Sequence, residues 1–476
     1  MKSKWRDMYA VMATLHSKRM GFYSKLLHVV LDTNSYSDEM VARAKGYIRS
    51  GRYDLLLELA DSIGGAVHST ARDHFLASQF AALVKKVPLD LRSFGIDPEK
   101  AAVEKFLASE RRVGRHNRLF LLERKLKRER SGSIRAAMRV WIRKVLGDKP
   151  NFPAIWRECN FGPGASVGVS GNVTHLAAKL LAPRWSVTST ALPYALAALR
   201  SHPQMWELLI PKGNAAQNFS WDPDLFEQSL MDKVMRVDYN KITLVPKTAK
   251  VHRTIAVEPL LNGYLQKGVD VFMRRRLFRY GIDLNDQSRN QEMARQGSLP
   301  EEDPYATIDL SEASDSISIG LVRDLLPPDW FEFLNSIRSP SFLHAGKVTQ
   351  YNKFCSMGNG FCFPLESLIF ASVCQAVCDR HSVTGDYSVY GDDIIVRSSL
   401  APEILTVLRT LGFRHNPSKT FLSGPFRESC GADWYHGEDV RPVTLDSLPE
   451  TISEYFSFHN QTLRGPRTEA YFESAR

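Results

Sequence analysis

Cysteine is scarce in this chain, with six cysteines spread unevenly over 476 residues. Small secreted domains depend on dense, regularly spaced cysteines that form a disulfide framework, and this sequence has no such pattern. A chain of this length can bury enough apolar surface to fold without crosslinks. We therefore expect a reduced, cytoplasmic protein rather than a disulfide-stabilised secreted one.

Long apolar runs are also missing. The first residues, 1–7, lack the continuous apolar core of a signal peptide. The most apolar stretch, 361–378, is interrupted by Pro364, Glu366 and Gln375. A membrane-spanning helix needs about 20 predominantly apolar residues. The sequence therefore predicts a soluble protein with no membrane partner.

Internal repeats and low-complexity tracts are absent, and the composition is that of a globular protein, with 43% hydrophobic and 24% charged residues. This balance excludes a mainly disordered or collagen-like chain. Lys and Arg together number 62 against 52 Asp and Glu, so the formal net charge is +10. Such an excess favours a polyanionic partner, although it says nothing about the fold.

Positive charge is concentrated between residues 111 and 149, where fourteen Lys or Arg stand against three acidic residues. The apolar positions in this segment are compatible with helices, and a basic helical surface is typical of proteins that follow nucleic-acid phosphates. The alternative is a solvated helix pair whose arginine stems cover apolar surface. The RNA-binding interpretation singles out Arg111, Arg112, Arg115, Arg118, Arg124, Lys125 and Arg128.

The two halves of the chain differ in their apolar patterns. Helical periodicity dominates before about residue 240, for example over 39–62 and 71–86. Short β-rich runs alternate with helices after that point. The pattern predicts a largely helical N-terminal half followed by a mixed region of the α/β or α+β type.

A second basic cluster connects two predicted strands, 242–246 and 254–257. Lys247, Lys250 and Arg253 lie in or beside this connection. Flanking strands can fix the spacing of several cations, and both the ammonium point charge and the forked guanidinium suit phosphate oxygens. Basic hairpins are common on protein surfaces, so the cluster alone does not identify a triphosphate site.

Carboxylates accompany three predicted strands. A buried strand, 305–310, carries Asp309 near its end, and Asp315 lies in the first turn of the following helix. Farther on, Asp392 and Asp393 occupy the tight turn between two apolar strands. Asp is common in turns, so turn chemistry is the alternative explanation for this pair.

Three carboxylates held at the ends of strands can do more than shape a turn. Hard oxygen ligands of this kind can share two Mg²⁺ ions in the arrangement used for in-line phosphoryl transfer. One ion lowers the pKa of an attacking 3′-hydroxyl, and the other stabilises the leaving pyrophosphate. The strands that flank Asp392 and Asp393 favour this interpretation over a plain turn.

Two further features are weak alone. A glycine-rich stretch, 356–367, leads into a long predicted helix, and its glycines would let backbone approach a template or nucleotide closely. Lys419 follows a turn on a strand-like segment. Beside a metal site, this lysine could protonate pyrophosphate as a general acid. Without such neighbours, it would be an ordinary solvated lysine.

Taken in order, these motifs resemble those of viral RNA-dependent RNA polymerases, and most closely the replicase catalytic (beta) subunits of the single-stranded RNA bacteriophages. The resemblance is dense over residues 240–442 and sparse before them. The stretches that carry it are 160–165, 245–259, 283–288, 308–318, 357–367, 390–395 and 427–432. Several motifs in the right order argue against a chance match.

The resemblance implies an α+β fold of the right-hand polymerase type, with fingers, palm and thumb and an antiparallel palm sheet. On this basis residues 1–239 form a mostly helical fingers region that includes the basic segment 111–149. Residues 240–300 supply fingers strands and the nucleotide-binding loop, and 301–426 form the palm. The palm–thumb junction and a short thumb or tail occupy 427–476.

Roles follow by position in the family motifs. The ligands of two Mg²⁺ ions, with Mn²⁺ as an alternative, would be Asp309, Asp392 and Asp393. The incoming triphosphate would contact Lys247, Lys250 and Arg253, with Lys419 as general acid. The nucleotide would also contact Gly358, Asp315, Glu366 and Ser367. Of these residues, Asp315, Glu366 and Ser367 would read the ribose 2′-hydroxyl, the group that distinguishes RNA from DNA.

The same resemblance implies the partners and the setting of the reaction. Substrates would be an RNA template and ribonucleoside triphosphates, with RNA synthesis starting without a primer. Replicases of this family recruit the host translation elongation factors Tu and Ts, with a ribosomal protein on some templates. The expected location is the cytoplasm of the infected bacterial host.

Two other functions stay open at this point. A reverse transcriptase also pairs two aspartates on a hairpin, but it usually places a bulky aromatic after the first aspartate, where residues 310–315 are small and polar. A non-catalytic basic RNA-binding protein would explain the charge of 111–149. It would not explain three carboxylates in a groove meant for a polyanion, because uncompensated acids there weaken RNA binding.

Overall fold

The computed structural model describes residues 19–32, 36–64, 68–87, 89–126, 132–169, 171, 175–205, 223–445 and 447–464. Helices dominate the part before residue 240. They include 19–32, Asp38–Arg49, Tyr53–Gly64, Ala71–Lys86, Pro98–Leu126, Gly132–Leu146, Phe152–Trp156, Leu176–Leu180, Leu192–Arg200 and Pro223–Lys233, with a 3₁₀ turn at Arg92–Phe94. The predicted helical character of this half is confirmed.

The remaining helices alternate with strands. They are Leu260–Phe278, Ser288–Gly297, Ala313–Ser316, Ile319–Leu325, Pro328–Ile337, Cys362–Arg380, Ala401–Leu411 and Ile452–Thr462. The strands are β1 (Trp185–Val187), β2 (Val234–Arg236), β3 (Asn240–Pro246), β4 (His252–Val257), β5 (Tyr305–Ile308), β6 (Ser341–His344), β7 (Lys347–Gln350), β8 (Tyr387–Tyr390), β9 (Asp393–Arg397), β10 (Phe426–Ser429), β11 (Ala432–Tyr435) and β12 (Glu438–Asp439).

Side-chain caps explain where several helices begin. Ser37 and Thr70 each accept a hydrogen bond from the backbone amide three residues ahead, which satisfies a donor that lacks a partner within the helix. Thr451 and Glu454 form a reciprocal capping box at the start of Ile452–Thr462. These polar residues fix helix boundaries that the apolar pattern alone leaves uncertain by a few residues.

The central sheet has the strand order β5-β9-β8, and both pairings are antiparallel. We call it the palm sheet. A second sheet, β4-β3-β6-β7, contains the hairpin that bears the basic loop. Most strand pairings are antiparallel, with β1-β2 and β3-β6 parallel, and this mixture of helices and sheets confirms the expected α+β class.

The helix Cys362–Arg380 packs against β8 and against Gly132–Leu146. It is long and apolar enough to cross a membrane by length and composition, but 83% of its most apolar window is buried inside the protein. Neighbouring helices and the palm sheet therefore cover its apolar surface, as expected for the core helix of a globular protein.

The N-terminal helices share a hydrophobic core with the C-terminal segment. This core joins buried side chains from the region 23–91, such as Phe80, with Tyr435, Val443 and Phe458. A separate, larger core runs from Phe120 to Phe413 and includes one face of the palm sheet, while a small cluster around Tyr305 and Ile395 covers the other. The short sheet β10-β11-β12 packs against the helix Ser288–Gly297 and, through Tyr435, joins the core of the N-terminal helices.

Gln79 links the two ends of the chain. Its side-chain amide donates to the backbone carbonyl of Val443 at 2.8 Å, and its side-chain oxygen accepts from the Val443 amide at 2.8 Å. The Gln79 side chain is fully buried. Replacing it would leave two buried backbone groups without partners.

Gln79→Ala should lower the free energy of unfolding by about 2–4 kcal/mol, because each unsatisfied buried group costs about 1–3 kcal/mol. Urea unfolding followed by circular dichroism measures this change. Gln350→Ala, at an exposed position on β7, should shift stability by less than about 0.5 kcal/mol. Equal midpoints for the two variants would contradict the proposed link.

Candidate active site

The three aspartates meet at one edge of the palm sheet. Asp309 follows β5 directly, and Asp392 precedes Asp393 at the start of β9. Because Ile308 pairs with Ile394 across the antiparallel ladder, the end of β5 lies beside the beginning of β9. Sequence reasoning placed these carboxylates on two strand ends, and the register brings those ends together.

Gly391 shapes the turn between β8 and β9. Its φ is +64°, and a Cβ atom there would lie 2.4 Å from the ring of Phe363. The Gly391 amide donates to the Ser367 hydroxyl at 3.0 Å. Any larger residue would displace the Phe363 ring or the turn. Glycine at position 391 therefore fixes the position of Asp392.

Neighbouring polar groups orient two of the carboxylates. The Asn416 side chain donates to Oδ2 of Asp309 at 3.0 Å, and the Asn416 amide donates to the Asp309 carbonyl at 2.8 Å. Ser429 donates to Oδ1 of Asp393 at 3.3 Å, and the Cys430 thiol lies 3.6 Å from Oδ2. The supports of Asp309 and Asp393 therefore come from different segments of the chain.

Burial raises the pKa of all three carboxyl groups, and neighbouring aspartates raise it further at Asp392 and Asp393. Burial raises the pKa of Asp309, although Asn416 and Lys419 oppose this effect. Burial and the charge of Asp309 raise the pKa of Asp392. Burial and Asp392 raise the pKa of Asp393 to about 6. The charges of Asp309 and Asp392 thus act on neighbouring aspartates, and the nearby cations offset the effect of burial only in part.

The chemistry of these donors suits a hard divalent cation, which would relieve their repulsion. Within the described ranges, no three His, Cys, Asp or Glu side chains already form a cluster suited to a metal ion. Asp393 is also engaged by Ser429 and Cys430. The donor types therefore fit Mg²⁺ or Mn²⁺, whereas their present orientations do not form a finished coordination shell.

Positive charges face this acidic edge from the β3–β4 hairpin. Burial and the neighbouring charges of Arg253, Lys105 and Lys419 lower the pKa of Lys247. Lys247 and Arg253 in turn act on Asp392 as compensating charges. Several cations that repel one another beside carboxylates form a site suited to an anion such as a triphosphate.

Lys250, the third cation predicted in this loop, points elsewhere in the structure. Its ammonium group forms an ion pair with Asp61 of the helix Tyr53–Gly64, and Lys85 pairs with the same carboxylate at 2.8 Å. The hairpin thus brings Lys247 and Arg253 to the aspartates but ties Lys250 to the N-terminal helices.

Lys419 lies beside the acidic edge, in a turn before β10 and not on the strand-like segment that the sequence suggested. Its ammonium donates to Glu428 at 2.6 Å. Burial opposes its charge, but Glu428, Asp309 and Asp433 outweigh burial and raise its pKa. Lys419 is therefore protonated at neutral pH, which a general acid requires before it can donate.

Gly358 and Ser367 support the site's backbone in this structure. Gly358 has a φ of +108°, and a Cβ atom there would lie 2.2 Å from the Ala256 carbonyl oxygen. The glycine-rich stretch thus lies directly against β4. The Ser367 hydroxyl donates to the Phe363 carbonyl at 2.8 Å and accepts from the Gly391 amide. Its hydrogen bonds hold the turn that bears Asp392.

Asp315 and Glu366 lie next to this turn. Asp315 accepts a hydrogen bond from Lys353 at 2.7 Å. Glu366 is 7% exposed, and its Oε2 has no hydrogen-bond partner among the described residues. Burial, Cys362, Asp392 and Asp315 raise the pKa of Glu366. Of these two predicted ribose contacts, Glu366 is therefore near both Asp392 and Asp315.

The predicted RNA-binding residues lie mainly on the helix Pro98–Leu126. Arg112 faces inward, where it donates to Glu312 at 3.0 Å and to Ser316 at 2.8 Å. Arg128 lies outside the described residues. The exposed members of the set are Arg111, Arg115, Arg118, Arg124 and Lys125. Part of the basic segment therefore stabilises the palm, while the rest faces solvent.

Sequence reasoning missed several residues that support the site. Asn416 and Ser429 orient aspartates, and Glu428 pairs with Lys419. Glu312 binds Arg112, and Lys353 holds Asp315. Glu428 lies in the family stretch 427–432, and Asn416 is three residues before Lys419. No local signal distinguishes Lys353 from a surface lysine, because its partners come from distant segments.

Comparisons with known proteins identify the family of the chain. The family model for "RNA replicase, beta-chain" matches residues 64–465. The chain is 40% identical to the RNA-directed RNA polymerase subunit beta of Escherichia virus Qbeta over 359 residues, covering 74% of this chain and 56% of that protein. It is 39% identical to the corresponding subunit of Enterobacteria phage SP over 361 residues, covering 75% and 58%. The chain belongs to the RNA replicase beta-chain family.

A third relative, the RNA-directed RNA polymerase beta chain of Escherichia phage MS2, is 50% identical over 226 residues, which cover 48% of this chain and 41% of that protein. The matches to the Qbeta and SP subunits span a little over half of those proteins. Solved structures that resemble the chain include an RNA-dependent RNA polymerase of BmCPV, with a TM-score of 0.40 and 10% identity. The match covers 71% of this chain and 32% of that one. Another comes from a human picobirnavirus, with a TM-score of 0.36, 12% identity and coverage of 71% and 83%.

The raised pKa of Asp393 predicts how stability varies with pH. Its folded value of about 6 lies above the unfolded value of about 3.9, so the folded state binds this proton more tightly. The resulting stability is fully present below the unfolded pKa and is lost as pH rises through 6. In EDTA at pH 8, Asp393→Asn should raise the free energy of unfolding by about 2–3 kcal/mol.

Near pH 4 the wild type and Asp393→Asn should differ much less, because both then carry an uncharged side chain in the folded state. Urea unfolding across pH 4–8 measures the difference. Asp379→Asn, at an exposed position near the end of Cys362–Arg380, is the control. Its difference from the wild type should not follow the same pH dependence. If Asp393→Asn raised the free energy of unfolding by the same amount at every pH, the role of the buried charge would be contradicted.

Proposed function

We propose that this chain catalyses RNA-templated RNA synthesis, replicating the genome of a positive-strand RNA phage. One observation carries the proposal. Three repelling carboxylates at the edge of the palm sheet face the cations Lys247 and Arg253. This is the arrangement that a nucleoside triphosphate with divalent metal requires, and it accords with membership of the replicase beta-chain family.

The metal site in this proposal consists of Asp309, Asp392 and Asp393. These carboxylates would hold two Mg²⁺ ions, or Mn²⁺ in their place, and the bound metal would supply activation of the attacking 3′-hydroxyl and stabilisation of charge on pyrophosphate. Asn416 keeps Asp309 oriented toward this site. The Gly391 turn, anchored on Ser367, keeps Asp392 at the tip of the hairpin.

Cations position the triphosphate and complete the reaction. Lys247 and Arg253 bind phosphate oxygens, so that the α-phosphorus lies above the aspartates. The 3′-oxygen loses its proton to solvent and bonds to the α-phosphorus as the bond between the α- and β-phosphates breaks, and Lys419 Nζ transfers its proton to the leaving pyrophosphate. Lys250 can contribute to binding only after it leaves Asp61.

Ribose recognition falls to Asp315 and Glu366, which lie beside Asp392. A carboxylate oxygen accepts from the 2′-hydroxyl of a ribonucleotide, and a deoxyribonucleotide offers no such donor. No bulky aromatic follows Asp309 in residues 310–315. The site therefore favours ribonucleotides over the deoxyribonucleotides of a reverse transcriptase.

The remaining parts of the proposal concern surfaces and partners. The exposed arginines of Pro98–Leu126 bind template or product RNA, with affinity that falls as salt rises. Residues 1–300 contribute fingers, 301–426 the palm and 427–476 the thumb side. Initiation occurs without a primer in the cytoplasm of an infected bacterium. Elongation factors Tu and Ts and a ribosomal protein are the proposed host partners.

Asp392→Asn should reduce incorporation of radiolabelled GTP at least about a hundredfold on a C-rich RNA template, the scale expected when one electrostatic element of a transition state is removed. RNA binding should be retained, because the basic surfaces are unchanged. Gel analysis with Mg²⁺ and all four ribonucleotides measures synthesis, and filter binding measures RNA affinity.

The matched control is Asp379→Asn, which removes one carboxylate at an exposed position. Its synthesis should equal that of the wild type. Equal product from Asp392→Asn and the wild type would overturn the assignment of Asp392. A non-catalytic RNA-binding protein would show no template-directed product from any of the three proteins.

The cations of the hairpin should differ in their kinetic effects. Lys247→Ala and Arg253→Ala should each raise KM for GTP roughly tenfold or more, since hydrogen bonds to charged groups contribute about 1.5–3 kcal/mol. Lys250→Ala should have a smaller effect, because Asp61 engages that side chain. Steady-state incorporation on one template compares the three variants. A larger KM change for Lys250→Ala than for the other two would contradict this assignment.

A further inference from the structure

Lys353 is a cation buried directly behind the proposed ribose site. Its side chain has 0% exposure, and Nζ lies 2.7 Å from Oδ1 of Asp315 and 3.8 Å from Oε1 of Glu110. Nζ also lies 3.7 Å from the centre of the Phe106 ring. A buried ammonium group is costly unless close partners compensate it. Here the shortest partner contact is to Asp315.

The backbone that carries Lys353 is held on both sides. The neighbouring Asn352 amide donates to Oε2 of Glu110 at 2.7 Å, and the Asn117 side chain donates to the Asn352 carbonyl at 2.7 Å. The Phe354 amide donates to the Ile317 carbonyl at 2.7 Å. Lys353 therefore extends from a fixed point, so its ammonium defines a position for Asp315.

The backbone around Asp315 is also held in place. Asp315 belongs to the four-residue helix Ala313–Ser316, which follows Glu312 at a φ of +57°. Ser109 donates to the Glu312 carboxylate at 2.5 Å, and Arg112 bridges Glu312 and Ser316. A non-glycine residue in left-handed conformation is costly and persists where surrounding contacts enforce it. The long basic helix provides those contacts.

The second oxygen of Asp315 is oriented by this arrangement. Lys353 occupies Oδ1, and no described residue is hydrogen-bonded to Oδ2. The Asp315 side chain is 21% exposed, so it can reach a ligand. Glu366, with its unpartnered Oε2, lies close enough to feel the charges of Asp315 and Asp392. The open side of Asp315 therefore belongs to the nucleotide site.

We propose that Lys353 is a positioning residue for sugar selection. It holds the Asp315 carboxylate so that Oδ2 accepts a hydrogen bond from the 2′-hydroxyl of the incoming ribonucleotide. The proposal rests on the polymerase function given above and adds a residue that does not itself contact the substrate. Without Lys353, Asp315 would face the carboxylates of Glu110 and Glu366 with no cation and would turn away from them.

A purely structural role for Lys353 makes a different prediction. In that case its loss would slow incorporation of GTP and dGTP by the same factor. A positioning role predicts a selective loss with GTP, because dGTP makes no hydrogen bond with Asp315. The ratio of kcat/KM for GTP to that for dGTP therefore distinguishes the two roles, whereas either rate alone does not.

The test measures this ratio on a primed RNA template for the wild type, Lys353→Met, Asp315→Asn and the double variant. Lys353→Met should lower the ratio roughly tenfold, the loss expected for one hydrogen bond to a charged group. Asp315→Asn should lower it similarly. In the Asp315→Asn background, Lys353→Met should change the ratio by less than about twofold, because both substitutions remove the same interaction.

Glu110→Gln is the matched control. It removes the other carboxylate beside Lys353 but keeps an acceptor for the Asn352 amide, so the ratio should stay at the wild-type value. If Lys353→Met does not fold, as judged by its melting temperature, Lys353→Leu gives the same comparison, because leucine also lacks a donor. A neutral variant that keeps the wild-type ratio, or additive effects of Lys353 and Asp315, would overturn the proposal.

This outcome is separable from the polymerase function itself. Wild-type protein that makes no RNA from any ribonucleotide would overturn the proposed function. Wild-type synthesis with an unchanged ratio in Lys353→Met would overturn only the role of Lys353. A ratio that falls equally in Glu110→Gln and Lys353→Met would assign the effect to general packing around Phe106 and would also overturn the positioning role.

Discussion

The antiparallel pairing of β5 with β9 is the constraint on which the site depends. It places Ile308 opposite Ile394, and so brings Asp309 beside the turn that carries Asp392 and Asp393. A shift of one residue in this register would turn alternate side chains to the opposite face of the sheet. Both faces of these strands are buried, so the shift would move side chains such as Ile308 out of the large core and into the separate core that contains Tyr305 and Ile395.

Charge compensation explains most of what surrounds the sheet. The aspartates repel one another, and the cations that oppose them come from other parts of the chain: Lys247 from the β3–β4 hairpin and Lys419 from the segment before β10. The helix Pro98–Leu126 has two roles on two faces. Arg112 and Glu110 stabilise the palm from one face, while Arg115 and other cations remain exposed on the other.

Much of this arrangement could be predicted because it is local in sequence. The strand before Asp309 and the hairpin around Asp392 have short, distinct patterns, and their order resembles a known family. The direction of Lys250 and the burial of Lys353 could not be predicted, because Asp61 and Glu110 lie far away in the chain. The shared core of the N-terminal helices and the C-terminal segment was missed for the same reason.

The central claim is that the carboxylates and the cations together form one site for a metal-bound triphosphate. Diffraction from crystals soaked with Mn²⁺ and GTP tests it most directly, because manganese is located by its anomalous scattering. The account predicts manganese at the carboxylates of Asp309 and Asp392, with the triphosphate against Lys247 and Arg253. Manganese absent from these aspartates, or a triphosphate bound away from the β3–β4 hairpin, would contradict it.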